Sequence, residues 1–289
     1  MAERRPAEGF VLALVAAALW GFTPVGTKAT FDGYSPEVVS VARLGVSAWL
    51  FHRLGGRGTS LLPRDPWSWV AGLALGVDFV LYNYGLRLTR ASLAGLIVNV
   101  EVVSGIVLAR LLLGEGLTAR RLAGGVVTLA GVTIVTWQGV TLGDVLAADA
   151  RNGNAVVMLA ALAWSVYAVA QRKAPAAASP FRLMAPIFVV ALLTTLPLLL
   201  RPAAWRNPGG AYPTAMLAVL ALACTAGVYL VYARSQECLD LSVLSIVLAV
   251  IPVFAIGFAW LLLGEPVTPR VLGGGALVLA GVLLVATES

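Results

Sequence analysis

Leu111 to Val135 reads LLLGEGLTARRLAGGVVTLAGVTIV, and Leu261 to Val285 reads LLLGEPVTPRVLGGGALVLAGVLLV. The offset is 150 residues without a gap, and 15 of the 25 aligned pairs are identical. Each copy closes one long apolar run, turns at Leu-Gly-Glu and opens another. A duplication on this scale decides the architecture before any single residue is read. It says that the chain is two copies of one unit.

The unit belongs in a membrane. The 289 residues are 60% hydrophobic and 12% charged, whereas a soluble domain is about half apolar and about a quarter charged. So little charge cannot solvate a surface of this size, and the apolar runs need hydrocarbon around them. The net charge of +6 fits loop arginines meeting anionic headgroups; no basic run with interleaved aromatics marks a nucleic-acid site. Cys224 and Cys238 lack metal-ligand spacing, and Cys224 reads as a small buried hydrophobe. The single histidine, His52, stands beside Arg53 at a helix end and reads as interfacial.

A spanning helix takes about 20 mostly apolar residues. That ruler gives ten runs, roughly 10–30, 36–53, 67–86, 91–113, 119–138, 153–173, 181–200, 213–234, 242–263 and 269–286. Breaks fall at Ser35-Pro36, Pro63 to Pro66, Gly139 to Gly153, Ser179-Pro180 and Pro202 to Pro213. The expected fold is an all-α integral membrane protein of ten transmembrane helices, with a first repeat over 8–138, a linker over 139–152 and a second repeat over 153–286. The first run, although preceded by Arg4 and Arg5 and carrying Ala16-Ala17-Ala18, continues past that small-residue site and reads as a span rather than a cleaved signal. Five helices per unit is an odd number, so the two units must lie inverted, an arrangement of transporters that bind at the repeat interface. With cytoplasmic termini, 11 lysines and arginines fall inside and 7 outside, which favours that orientation.

Glycine after the last helical residue suits Gly114 and Gly264 to a left-handed C′ position. Thr118 and Thr268 then fit N-caps, with Pro269 at N1. Glu115 and Glu265 fall near the positive N-terminus of the following helix and read first as structural corners, second as coupling sites. Gly124 and Gly131, like Gly274 and Gly281, are seven apart and share a stripe. Small residues allow close helix approach, either within the chain or between the protomers of a homodimer.

Two five-helix units, each closing on LLLGE, then Thr, then a glycine-rich helix, resemble EamA domains of the drug/metabolite transporter superfamily. Tyr82-Asn83-Tyr84-Gly85-Leu86 is similar to that family's third-helix ending. Ile97-Val98-Asn99-Val100-Glu101 resembles its fourth-helix stretch, with Val102 where proline is usual and Pro252-Val253 keeping the proline in the second copy. Ala42-Arg43 resembles its second-helix arginine. The resemblance implies a ten-helix transporter of amino acids, other metabolites or drugs, with a central cavity lined mainly by helices 1, 3, 4, 6, 8 and 9.

Charges at membrane depth default to functional or paired roles. Asp78 and Tyr82 are i, i+4 on helix three; Glu101 and Ser104 are i, i+3 on helix four, with Asn99 on another side. Arg43 could pair with Asp78 or Glu101. Helices one and six repeat a stripe: Trp20, Thr23, Thr27 and Trp164, Tyr167, Gln171. Helix eight offers Tyr229, Tyr232 and Gln236 at the same spacing. Such stripes usually pack, but Trp and Tyr in mid-span lie outside the interfacial belt, and their polar atoms need partners. The candidate substrate-binding set is therefore Trp20, Thr23, Asp78, Tyr82, Asn99, Glu101, Trp164, Tyr167, Gln171, Tyr229 and Tyr232.

There is no G-x-S-x-G, H-E-x-x-H, Walker A or His/Cys cluster, so no enzyme and no metal or cofactor is expected. The expected function is secondary transport of small metabolites across a cell membrane, a bacterial inner membrane, by alternating access. Amino-acid export leads; drugs, nucleosides or cationic amines are the alternative cargo, and a channel or membrane enzyme is a distant third. The lipid bilayer, a small-molecule substrate and a proton or other coupling ion are the expected partners.

Overall fold

The computed structural model describes residues 6–88, 97–137, 148–177, 179–205, 208–263 and 267–287. Among them there are helices and no strand. In chain order they are α1 (Pro6–Phe31), α2 (Pro36–Gly55), α3 (Pro66–Leu88), α4 (Val100–Leu108), α5 (Ala119–Thr136), α6 (Ala148–Lys173), α7 (Pro180–Thr195), α8 (Ala211–Cys238), α9 (Leu241–Leu248), α10 (Ile251–Leu263) and α11 (Pro269–Ala286). Eight stretches among the described residues are long and apolar enough to cross a membrane. Gly264, Glu265 and most of the 139–152 linker lie outside the described residues.

The ends form as their residues dictate. Ser35 caps α2 by accepting from the Val38 amide, with Pro36 at N1, and Ser179 and Pro180 do the same for α7. Thr118 accepts from the Arg121 amide and Thr268 from the Val271 amide, so both predicted caps form. Gly114 takes φ +70°, the left-handed C-cap that a side chain resists.

Hydrogen bonds fix the directions. Ser235 donates to the Gly9 carbonyl at 2.8 Å, Arg120 to Thr287 at 2.6 Å and Arg172 to the Leu239 carbonyl at 3.1 Å. These define a near end, where α1 and α5 begin and α6, α8 and α11 finish. At the far end the Gly209 amide donates to Gly33, Ser35 donates to Ala204, and Arg270 donates to Trp137. There α1 and α5 finish and α2, α8 and α11 start.

The glycine stripes of α5 and α11 pack against each other, antiparallel. A Cβ on Gly131 would lie 2.6 Å from the Val278 amide nitrogen and 2.7 Å from the Gly274 carbonyl. One on Gly274 would lie 2.7 Å from Val135 and 2.9 Å from the Gly131 carbonyl. The stripes thus serve packing within the chain, where absent side chains let backbones touch.

Two breaks interrupt the ladders near mid-depth. Around Val98–Asn99, Glu101 and Val102 donate to residues three back, not four. Around Ala249–Val250, the amides of Ala249, Val250 and Val253 do likewise. The first break therefore forms without the proline that Val102 replaces. In α8, Leu222–Gly227 widens into a π turn, and α1 carries Pro24, which removes its own amide donor.

Candidate functional site

A cavity of about 140 Å³ opens among α1, α2, α3, α6, α8 and the two broken segments. Its wall includes Trp20, Thr23, Asp78, Tyr82, Glu101, Trp164 and Tyr229 of the predicted set. Arg43, Phe79, Asn83 and Pro24 complete much of the rest, with Val98, Leu248 and Ile251 contributed by the breaks. Irregular backbone at membrane depth is tolerated where it lines a cavity, and both breaks do.

The aromatic faces of α1 and α6 meet. Trp20 and Trp164 stand edge to face, with centroids 5.1 Å apart and an interplanar angle of 88°. Tyr229 stands 5.5 Å from Trp20 and 5.9 Å from Trp164. Edge-to-face pairs place the positive ring edge on the negative face of the next, and each adds about 0.5–1.5 kcal/mol beyond buried area. The rings brace one another, and all three line the cavity.

Arg43 is 4% exposed. No salt bridge within 4 Å joins it to Asp78 or Glu101 among the described residues, although it stands near enough to Asp78 for the two charges to attract. Its Nε donates to Thr225 Oγ1 at 2.9 Å, its Nη2 to the Cys224 carbonyl at 3.4 Å, and its plane lies 5.0 Å over the Phe79 ring. Both acceptors sit in the π turn of α8, where π-bulges recur at functional sites. These neutral partners orient the guanidinium. Neither Asp78 nor Glu101 has a hydrogen-bond or ion-pair partner for its carboxylate among the described residues. One cation and two carboxyl groups thus face one small volume, each held on a different helix. Ser165, which donates to the Glu101 carbonyl at 3.3 Å and bonds Ser104 at 2.7 Å, ties α4 to α6 beneath them.

Four predicted residues lie off this cavity. Tyr167 and Tyr232 are buried one layer toward the near end, where they stack with centroids 6.5 Å apart. Gln171 is a further turn along α6, in a separate chamber. Asn99 is part of the first break and is not on the wall. Arg43 was visible in the sequence as a lone mid-span arginine. Asn83, which donates to Ser40 at 2.6 Å, was visible only as part of the third-helix ending.

Glu115 caps a helix, though not the one following it. Its carboxylate accepts from the Leu241 amide at 2.8 Å, the Ser242 amide at 2.9 Å and Ser242 Oγ at 2.7 Å. The neighbouring Arg121 pairs with Asp240 at 2.8 Å. The positive end of α9 is thereby fastened to the α4–α5 corner, across the two halves of the chain. His52 sits in the last turn of α2, and Cys224 is buried and free.

The sequence profile of the EamA-like transporter family matches residues 7–137 and again 151–287. An uncharacterized transporter of Archaeoglobus fulgidus is 26% identical over 242 residues, 82% of this chain and 81% of its own length. A protein of Streptantibioticus cattleyicolor named "Probable terminal-alkyne amino-acid exporter" is 26% identical, covering 92% of this chain and 89% of its own. A solved crystal structure superposes with a TM-score of 0.81 at 21% identity, over 98% of this chain and 97% of that one, which shows a shared fold.

Proposed function

The chain belongs to the EamA-like transporter family, and from that premise we propose that it exports amino acids or closely related zwitterionic metabolites by alternating access. The observation that carries the reading is the set of Arg43, Asp78 and Glu101, none salt-bridged to another, around one aromatic-walled cavity. A zwitterion presents a carboxylate and an ammonium a few ångströms apart. Arg43 offers a planar, preoriented donor for the first. Asp78 and Glu101 offer acceptors for the second, and the Trp20, Trp164 and Tyr229 rings offer faces to an ammonium or an apolar side chain. The name of the Streptantibioticus relative agrees with this cargo.

The reading places ten spans in two inverted repeats, 8–138 and 153–286, joined by a linker over 139–152. The opposite directions of α5 and α11, and of α1 and α6, support it. Both termini are placed in the cytoplasm, and the linker outside. Cysteine at Thr141, in a background lacking Cys224 and Cys238, should then react with an impermeant maleimide on whole cells; labelling only after lysis refutes this orientation.

Two carboxylates against one arginine also favour a second cargo, a cationic amine. Counterflow into proteoliposomes across a panel of amino acids, amines and nucleosides separates the two. Saturable exchange of amino acids supports the first reading, exchange confined to amines the second, and non-saturating flux removes both.

A further inference from the structure

Beyond the central cavity, toward the near end, lies a second chamber of about 220 Å³. Gln171 and Arg172 of α6 and Gln236 and Glu237 of α8 supply its polar wall. The two spaces are strung along one pair of helices. On α6 the stripe runs Trp164, Tyr167, Gln171; on α8 it runs Tyr229, Tyr232, Gln236. The first member of each stripe lines the cavity, and the last lines the chamber. The middle members, Tyr167 and Tyr232, are buried and stacked between them. A residue four further along a helix lies about 6 Å on, so a single aromatic layer separates the spaces.

Two polar atoms of this layer and chamber are not spent on structure. Gln171 is 3% exposed, yet its Oε1 has no partner, and the buried Tyr167 hydroxyl has none either. An unpaired buried acceptor or hydroxyl costs about 1–3 kcal/mol, and such groups persist where something else satisfies them. Gln236 uses its Nε2 on the Tyr232 hydroxyl at 2.9 Å and on the Ala168 carbonyl at 3.2 Å, which fixes Tyr232 in the layer. Arg172 holds the Leu239 carbonyl at 3.1 Å, and Glu237 pairs with the exposed Arg234 at 2.8 Å. The chamber therefore presents an unpartnered amide oxygen, beside an arginine with donors beyond the one given to Leu239 and a half-exposed carboxylate that shares its charge with Arg234.

We propose that this chamber is a second substrate subsite, which takes the charged head of a zwitterionic solute on the near-end side while Tyr167 and Tyr232 separate it from the central cavity. The choice of solute rests on the amino-acid reading above. Gln171 Oε1 and Glu237 accept from the ammonium, Arg172 donates to the carboxylate, and the free Tyr167 hydroxyl meets the solute as it passes the layer.

The test has two arms. In proteoliposomes of known orientation, with radiolabelled L-phenylalanine as probe, Gln171→Leu is expected to raise the half-saturation concentration about tenfold from the near-end face, the size of one lost hydrogen bond to a charged group. The value from the opposite face and the thermal midpoint should not move. Glu237→Gln, at a half-exposed rim position, should shift the near-end value in the same direction. An equal change from both faces, or none in either variant, overturns the proposal. The second arm needs no substrate. Gln171→Cys, without Cys224 and Cys238, should react with a charged methanethiosulfonate from the near-end face alone; reaction from the far face at an equal rate, or from neither, also overturns it. If the parent protein carries no amino acid of the panel above, the amino-acid reading falls, and the labelling arm alone decides the chamber; if it carries another amino acid than phenylalanine, that one serves as the probe.

Discussion

At the α5–α11 seam, Gly131 meets Gly274 and Val278 while Gly281 meets Gly124 and Thr128. Adding or subtracting the 150-residue offset turns each of these contacts into another of them. In the central cavity the duplication is broken. Arg43 stands where the second half has Ile187 at an offset of 144, and Asp78 and Glu101 stand where it has Val228 and Ile251. Helices that only need to touch can keep the same residues in both halves. On the transport reading proposed above, a volume that tells one end of a solute from the other cannot, and its charges come from the first half while their counterparts are apolar.

The largest expected effect is at the seam. Gly131→Leu drives a side chain into the Val278 and Gly274 backbone, which cannot move aside as a side-chain tip can. Overpacking costs about 1–3 kcal/mol or more, and at backbone contact the upper end is expected. Fluorescence-detected gel filtration should show loss of monodisperse protein; a wild-type profile would mean that the seam opens freely.

Next comes the cavity charge. Glu101→Gln keeps shape and removes the ionisable group. If Glu101 carries the coupling proton, gradient-driven uptake is lost while exchange continues. Equal loss of both, with poor expression, would make Glu101 a structural residue and bring the cavity closer to the seam in kind.

A smaller effect is expected at the rings. Trp164→Ala and Trp20→Ala should each raise the half-saturation concentration about tenfold without lowering the amount of folded protein. The double variant should be non-additive, because both rings touch one volume. Normal transport in both single variants would assign these tryptophans to packing.

The smallest effect sharpens the seam itself. A Cβ on Gly273 meets nothing within 4 Å, although it adjoins Gly274 in sequence. Gly273→Ala should leave the stability within about 0.5 kcal/mol of the parent, read as a nearly unchanged thermal midpoint, and a clear loss would show that glycine content rather than contact governs the region.

The sequence made the duplication, the Thr118 and Thr268 caps, the Gly114 turn and the aromatic stripes legible, because each depends on neighbours within one or two turns. The meeting of Trp20 with Trp164 was legible too, since inverted repeats place equivalent helices around one shared midplane volume. What could not be read depends on register between distant helices. Arg43 finds Thr225 through a π turn, an inserted residue that no periodicity announces. Glu115 reaches α9 instead of its own neighbour α5, because the corner of one half lies against the other half. Tyr167 and Gln171 share a stripe with Trp164, yet a cavity has a floor, and a stripe does not say where the floor comes.

The short helix α9 has a mechanical consequence. Eight residues make a strut about 12 Å long. One end, Leu248, is part of the cavity wall, and the other, Leu241 with Ser242, is gripped by Glu115. Two turns of helix are too short to bend appreciably, so the wall and the grip act in series. A solute that shifts Leu248 loads the Glu115 bonds directly, and loosening those bonds gives the wall room to move.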